Sequence, residues 1–541
     1  MKLNLESLDN KLAWETYRMP QYDIAKMRER TKAAPTWLHF GAGNVFRAFP
    51  AVLAQRMLTA GLTDTGVICC EPYDEELIDR CYKAYDNLSV AVTLYSDGRL
   101  KKEVVGSVAE ALGLSADYDR VAEIFAAPSL QMVSFTITEK AYPLRDNDKN
   151  LYPDVTADMK NGPAHTTSLI GRILSLCLHR LHTCGKPIAL VSMDNCQNNS
   201  MRLRWSMMEI AYAWKSAGLI EDADLAYLSE QVTFPITMID KITPHPDAAI
   251  AKQLMADGLE GMMPFETEKG TFAAPYVNTE QPQYLLIEDN FPVGHPPLEQ
   301  LGIIFTRSDI VLKTAMMKAC TCLNPNDTTL AVYGCLLGYK KISDEMQDKD
   351  LVNLITRMSE IEAMPMVSDP GVLDPHEYLH EALAVRYPNP FMPDTPQRIA
   401  TDTSQKLATR FGVTLEGYYD STLPKYRVSK LKYLPLALAG WLRYLLGVDD
   451  NGEPFELSPD PNLDMLRGHL KGITLGTAKI SDDQLYPILS SKPIFGVNLY
   501  EVGVAEKITE YFCELIAGPG AVRQTLHKYC GEDAYGQKVQ P

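Results

Sequence analysis

Along the first half of the chain, apolar residues fall in short runs of Val, Ile, Leu and Phe separated by amphipathic stretches. That alternation predicts a parallel sheet covered by helices. The strand-like runs are 36–40, 66–70, 89–94, 130–137 and 187–192, and 45–60 and 167–183 read as crossover helices. From about Glu288 the apolar spacing becomes helical, at 312–322, 330–337, 351–358, 434–446 and 504–515. The pattern predicts an α/β N-terminal domain over 1–283 and a mainly α-helical C-terminal domain over 284–541, joined near the Pro- and Gly-bearing segment 290–297.

A chain of 541 residues exceeds what one core ordinarily supports, which agrees with two domains. Lys and Arg number 52 against 69 Asp and Glu, and the resulting charge of −17 gives nucleic acid and anionic membranes no electrostatic hold. The 11 cysteines lack any CxxC spacing and read as reduced thiols. The N-terminus has no signal-like apolar stretch, and no apolar run is long enough to span a bilayer, so a cytoplasmic location is expected.

The run 36–40 leads directly into Gly41-Ala42-Gly43-Asn44, followed by a helix-like segment containing Arg47. Glycine is needed where backbone must approach a pyrophosphate, and a helix start offers free amides to the anion. Phe46 stands where the full GxGxxG pattern has its third glycine, so the turn alone reads equally as an ordinary strand-to-helix connection. Its context adds weight, because the next strand ends at Glu71, whose carboxylate suits the two ribose hydroxyls of NAD and repels the 2′-phosphate of NADP. The first domain is therefore expected to be Rossmann-like, with NAD as cofactor.

Oxidising a secondary alcohol needs a base for the hydroxyl proton and donors for the developing oxyanion. The ten histidines are dispersed, without HExxH or a His/Cys set at ligand spacing, so no metal is expected. A lysine flanked by side-chain amides is another route. Candidate residues fall at the ends of predicted elements: Asp194-Asn195 after 187–193, Asp240 before Pro244, and Lys318 with Asn324 in one apolar helical run.

At these positions the sequence resembles the polyol-specific long-chain dehydrogenases, a family acting on mannitol/fructose and mannonate/fructuronate pairs. Six blocks match in order: Leu38 to Asn44 with Arg47-Ala48, Ser134 to Lys140, Ser192 to Asn195, Asp240 to Pro244, Cys322 to Asn324, and Pro393 to Lys406. The resemblance implies Lys318 as general base, Asn195 and Asn324 as amides on the reacting oxygen, and Asp240 nearby. It adds Thr138 and Glu139 to the coenzyme site, Arg398 and Lys406 on the substrate's outer hydroxyls, and Asp327 at the substrate. Taken singly, these residues read equally as a solvated helix lysine, turn amides and rim charges; their joint order is what those readings leave unexplained.

The chain also departs from its relatives. Asn198 replaces a histidine, His295 replaces the arginine of a Gly-Arg-Pro, and Asp327 replaces a histidine three residues past Asn324. Lys318 lies six residues before Asn324 where five is commoner, an offset of about 100° on a continuous helix. A carboxylate at Asp327 would repel a sugar acid lying beside it, so the departures predict a preference that has drifted from mannitol or mannonate. A catalytically silent nucleotide- or sugar-binding member is the alternative, and a sugar-phosphate reading would call on Lys140, Lys241 and Arg410.

Overall fold

The computed structural model describes residues 1–478 and 480–531, in two compact units that divide between Val311 and Leu312. At the centre of the first unit lies a six-stranded sheet of β1 (Trp37–Phe40), β2 (Val67–Glu71), β3 (Val108–Gly113), β4 (Met132–Phe135), β5 (Ile188–Ser192) and β6 (Val232–Thr233). Every neighbouring pair is parallel, and the spatial order is β3-β2-β1-β4-β5-β6. The chain thus winds outward from β1 and then crosses back to β4, leaving a switch point between those two strands, where ligands of open α/β sheets bind.

Helices α1 (Asn44–Ala48), α2 (Pro50–Thr59), α3 (Tyr118–Ala126), α4 (Leu169–Cys184) and α5 (Asn199–Ser216) fill the connections. Leu38, Phe40, Ile68, Cys70, Val133 and Phe135 enter one core with α3, α4 and α5. Trp37, Val67, Cys69, Met132, Ala189 and Val191 enter a second, with α1 and α2. Strands buried on both faces are mostly apolar, with His39 in β1 and Ser134 in β4 as interruptions, which is why they stand out in the sequence.

Three sequence expectations are corrected. Residues 89–94 do form a strand, Ser89–Leu94, but it belongs to a separate four-stranded sheet, antiparallel to Leu100–Val105 and parallel to Tyr276–Glu280. The cause is the tight turn in which Gly98 N donates to Tyr95 O and Tyr95 N to Arg99 O. So short a connection permits only antiparallel pairing, and β3 takes the expected place in the parallel sheet. The helix expected over 45–60 breaks at Phe49, and α2 restarts with Pro50 in its first turn; proline cannot continue a helix but suits its start. Finally, Tyr284–Glu288 pairs with Thr237–Asp240 and with Ile304–Thr306, so these strands hold 284–306 in the first unit and the division falls beyond residue 283.

The second unit is helical and includes α6 (Ser308–Met317), which spans the division, α7 (Asn324–Leu337), α8 (Ile342–Glu345), α9 (Pro396–Ala400) and α10 (Tyr433–Tyr444). α7 and α10 approach closely because Gly440 has no side chain: a Cβ there would lie 2.6 Å from the Tyr333 ring. Tyr333 Oη donates to Leu436 O at 2.8 Å across the same contact. The buried Glu362 carboxylate accepts the amides of Lys432, Tyr433 and Leu434, satisfying the α10 N-terminus. No described helix is long and apolar enough to cross a membrane.

Candidate active site

Where β1 meets α1, Gly41 has φ +107°, and a Cβ on it would stand 2.2 Å from Thr136 O. Only glycine fits that approach. Gly43 differs: its φ is −77°, and nothing lies within 4 Å of an added Cβ, so it leaves open space on its side of the turn. Phe46 is fully buried and stacks on His39 at 4.4 Å. Because α1 ends at Ala48, helix and strand have room for this ring where the full pattern has glycine. His39 bonds Ser134 Oγ at 2.6 Å and Thr136 Oγ1 at 2.8 Å, and burial lowers its pKa to about 3, keeping it neutral.

Several residues expected to face the coenzyme turn inward. Glu71 accepts the amides of Ala42 at 2.7 Å, Tyr73 at 2.9 Å and Asp74 at 3.1 Å. Burial raises its pKa while those amides oppose the shift. Its first task is thus to fix the turn. Ala42 is buried, its amide engaged by Glu71 and its carbonyl accepting from Tyr82 Oη at 2.7 Å. Arg47 is buried too and donates to Ala274 O at 2.6 Å and Asn44 Oδ1 at 2.9 Å, which removes its guanidinium from the outer face.

Beyond Glu71, a cavity of about 430 Å³ lies beside the loops after β2 and β3, lined by Tyr73, Glu75, Glu76, Ser115, Glu268 and Lys269 among others. The hairpin of Phe265–Glu266 and Phe272–Ala273 borders it, tied down where Thr267 Oγ1 donates to Asp74 Oδ2 at 2.6 Å and Glu268 N to Glu76 Oε2 at 2.9 Å. The sequence reading missed this hairpin, whose strands are too short for a periodic signal.

On the other side of the switch point, Thr138 has φ +70° and ψ +154°, and Asp194 accepts the amides of Ile137 and Thr138 at 3.1 and 2.9 Å. Glu139 is exposed and paired with Arg202 at 2.8 Å. Asn195 follows β5 and is exposed. Asn198 adopts φ +55° as the residue before α5, a left-handed conformation that asparagine tolerates. Asn199 ties the end of β5 to the strand Thr237–Asp240, its Nδ2 donating to Asp194 O at 3.0 Å and Thr237 Oγ1 at 2.8 Å. Asp240 is buried at the end of that strand, opposite Tyr284. His295 stacks on Phe305 at 3.9 Å and bonds Pro296 O, a packing role.

In the second unit, α6 passes into a π-turn, Lys318–Cys322, closed by Leu323 N donating to Lys318 O at 3.1 Å. Leu323 then breaks the helix with φ −124° and ψ −67°, and Asn324 opens α7. A π-turn absorbs an extra residue, so the six-residue spacing from Lys318 to Asn324 does not carry the 100° offset of a continuous helix. Lys318 is buried. Among the described residues, the buried Asn324 Oδ1 has no hydrogen-bond partner.

Arg410 and Tyr387 hold this break. Arg410 Nη1 donates to Asn324 O at 3.2 Å and to Thr328 Oγ1, and Tyr387 Oη donates to Leu323 O at 2.9 Å. Asp327 acts electrostatically on Arg410, Tyr387 and Lys406. Burial lowers the Lys406 pKa; Arg410 and Arg398 lower it further, and Asp402 and Asp327 oppose them. Arg398 pairs with Asp394 and is largely exposed. Lys406 and Arg410 thus share the charge of Asp327, and Arg398 lies near Lys406 while paired with Asp394. Among the described residues, no three of His, Cys, Asp and Glu are grouped to hold a metal ion.

Two family models match the chain in succession: mannitol dehydrogenase Rossmann domain over residues 35–300 and mannitol dehydrogenase C-terminal domain over residues 311–516. The chain is 47% identical over 540 residues to D-mannonate oxidoreductase of Thermotoga maritima, covering 98% of this chain and 100% of that protein. Substrate-free D-sorbitol dehydrogenase has a similar structure, with a TM-score of 0.79 at 23% identity over 96% of this chain and 99% of that one. So has Pseudomonas fluorescens mannitol 2-dehydrogenase in its ternary complex with NAD and D-mannitol, with a TM-score of 0.71 at 22% identity over 98% and 100% of the two chains. At these identities the two structures speak for the fold.

Proposed function

The chain belongs to the mannitol dehydrogenase family, and from that premise we propose that it is an NAD-dependent oxidoreductase interconverting the secondary alcohol and ketone of an open-chain sugar acid of the mannonate/fructuronate class. The observation that carries the sugar-acid reading is the pair of cations Lys406 and Arg410 beside Asp327, with Arg398 next to Lys406. The carboxylate expected to repel a sugar acid is matched there by cations, one of which, Arg410, is already fixed against the first turn of α7. Near-full-length likeness to a protein named D-mannonate oxidoreductase supports the same class.

The first unit's residues fit a dinucleotide. Gly43 leaves its side of the turn bare, and Asp74, Glu75, Glu76 and Glu268 make the neighbouring cavity acidic against a single Lys269, which favours NAD over a coenzyme bearing a 2′-phosphate. NAD, when bound, supplies the hydride acceptor. In this unit Asn195 offers its amide to the reacting oxygen, with Asp240 in support. In the second unit Lys318 takes the hydroxyl proton on its Nζ, Asn324 Nδ2 donates to the oxygen, and the Arg and Lys cluster holds the far end of the substrate. A charge-assisted contact from the part-buried Lys406 or Arg410 contributes about 1.5–3 kcal/mol, and one from the largely exposed Arg398 about 0–1 kcal/mol.

The test is a panel read at the reduced-nicotinamide absorbance, with D-mannonate, D-mannitol and their keto partners. D-mannonate with NAD is expected to exceed D-mannitol in kcat/KM by about tenfold or more, the worth of one charge-assisted contact. That result removes the drift that Asp327 suggests. Preference for the polyol would overturn the sugar-acid reading, and silence on the whole panel would favour the binding-only alternative.

A further inference from the structure

Thr138 occupies a backbone region, φ +70° and ψ +154°, that is essentially restricted to glycine. A β-branched residue there is strained, and strain of this kind persists only where surrounding contacts enforce it. The enforcing contacts converge on one side chain. Asp194 Oδ1 accepts Thr138 N at 2.9 Å and Oδ2 accepts Ile137 N at 3.1 Å, with Tyr142 Oη donating to Oδ2 as well. Tyr142 Oη is itself within 2.7 Å of Ser192 Oγ. The Asp194 backbone is equally fixed, its carbonyl accepting from Cys196 N at 2.9 Å and Asn199 Nδ2 at 3.0 Å.

The place of this clamp matters as much as its strength. It joins the loops that leave the carboxyl ends of β4 and β5, immediately beside the switch point. Thr136, two residues before the strained position, presses its carbonyl against Gly41 so closely that no side chain fits there. The loop after β4 is therefore one wall of the glycine-turn cleft, and Asp194 sets that wall.

We propose that Asp194 is a positioning residue for the coenzyme: its carboxylate holds Thr138 in a glycine-like conformation and so fixes the 136–140 loop against the dinucleotide cleft. The proposal rests on the dinucleotide reading above. Asp194 touches no reacting atom in this role and acts through the loop. The amide pair it accepts needs two oxygens, which asparagine does not offer, so Asp194→Asn is expected to be an intermediate case.

The experiment measures NADH affinity by fluorescence titration of the full chain, alongside thermal stability, for Asp194→Ala, Asp194→Asn, and Asp194→Ala combined with Thr138→Gly. Asp194→Ala is expected to weaken NADH about tenfold or more, the scale of losing hydrogen bonds to a charged group. Adding Thr138→Gly is expected to recover most of that affinity, because glycine takes φ +70° unaided. If Asp194→Ala does not fold, Asp194→Asn with and without Thr138→Gly carries the same comparison. Unchanged NADH affinity in the Asp194 variants overturns the proposal, as does a loss that glycine at 138 does not relieve. Should the wild-type chain bind neither NADH nor NADPH, the dinucleotide reading itself fails and takes the proposal with it.

Discussion

Two turns carry the candidate chemistry, one in each unit, and they treat their polar groups differently. At the glycine turn, Glu71 receives three amides, Ala42 O accepts from Tyr82, and both His39 nitrogens are engaged. At the π-turn, Arg410 and Tyr387 secure the backbone carbonyls, but the buried Asn324 Oδ1 has no partner among the described residues. A group left unsatisfied in a buried site is costly unless something else completes it. At the first turn the carboxylate, imidazole and carbonyl are answered within the protein, and Arg47 Nε is the buried atom left open; at the second the backbone is held and one side-chain acceptor, Asn324 Oδ1, is left open among the described residues.

The sharpest way to break this contrast is Lys318→Ala. Under the proposed function it removes the base and leaves the first unit untouched. Turnover is expected to fall by about 10²–10⁴-fold, the usual worth of a general base, while NADH affinity stays at the wild-type value. Steady-state kinetics with a parallel NADH titration checks both halves. Turnover retained within a few fold assigns Lys318 to packing, and a loss of NADH binding places it with the coenzyme.

A smaller effect separates two glycines on one turn. Gly41→Ala puts a Cβ 2.2 Å from a backbone oxygen at φ +107°, and is expected to destabilise the fold by about 1–3 kcal/mol. Gly43→Ala meets nothing within 4 Å, so its melting temperature should match or slightly exceed the wild type while NADH affinity drops about tenfold, the methyl occupying the approach that glycine leaves to a pyrophosphate. Melting curves and NADH titrations of both variants decide the matter; a Gly43→Ala protein that binds NADH normally would mean the open side of the turn faces no ligand.

What the sequence revealed and what it concealed divides along similar lines. Strands with both faces buried were legible because apolar residues dominate them despite His39 in β1 and Ser134 in β4, and the glycine turn because its residue type is dictated by backbone geometry. Ser89–Leu94 was assigned to the wrong sheet, since pairing direction depends on the turn after it and not on its own apolar run. The broken helix was marked by Pro50, a signal available in the sequence. Arg47 and Glu71 sit at expected positions, yet which way a side chain points depends also on neighbours distant in sequence, such as Ala274 for Arg47 and Ala42 for Glu71. The strain at Thr138 had no signal, because a β-branched residue does not point to a positive φ. The π-turn was equally hidden, visible only as an odd spacing before Asn324.

The contrast extends to two buried acids, and here the expected effect is smallest. Burial raises the pKa of both Glu71 and Glu345, but Glu71 is answered by amides, whereas neither Glu345 oxygen has a hydrogen-bond partner among the described residues. Glu345 lies at the end of α8, against Gly334 of α7 and Pro396 of α9, and Asp348 and Asp344 push its pKa up further. The folded value lies well above the unfolded one, so the folded chain holds this proton more tightly. The stability it confers is complete below the unfolded pKa and is lost as pH rises through the folded pKa. One such group changes stability by at most about 1.4 kcal/mol per pH unit, on the order of 2 °C in melting temperature. Glu345→Gln keeps the shape and removes the titration, so its melting temperature should fall less steeply than the wild type's between mildly acidic and mildly alkaline buffers. Glu71→Gln, which keeps one carbonyl acceptor for three amides, should do the opposite at neutral pH and lower stability outright. Parallel slopes for wild type and Glu345→Gln would show that this acid already finds a partner in solution, and the two buried acids would then differ less than their hydrogen bonds imply.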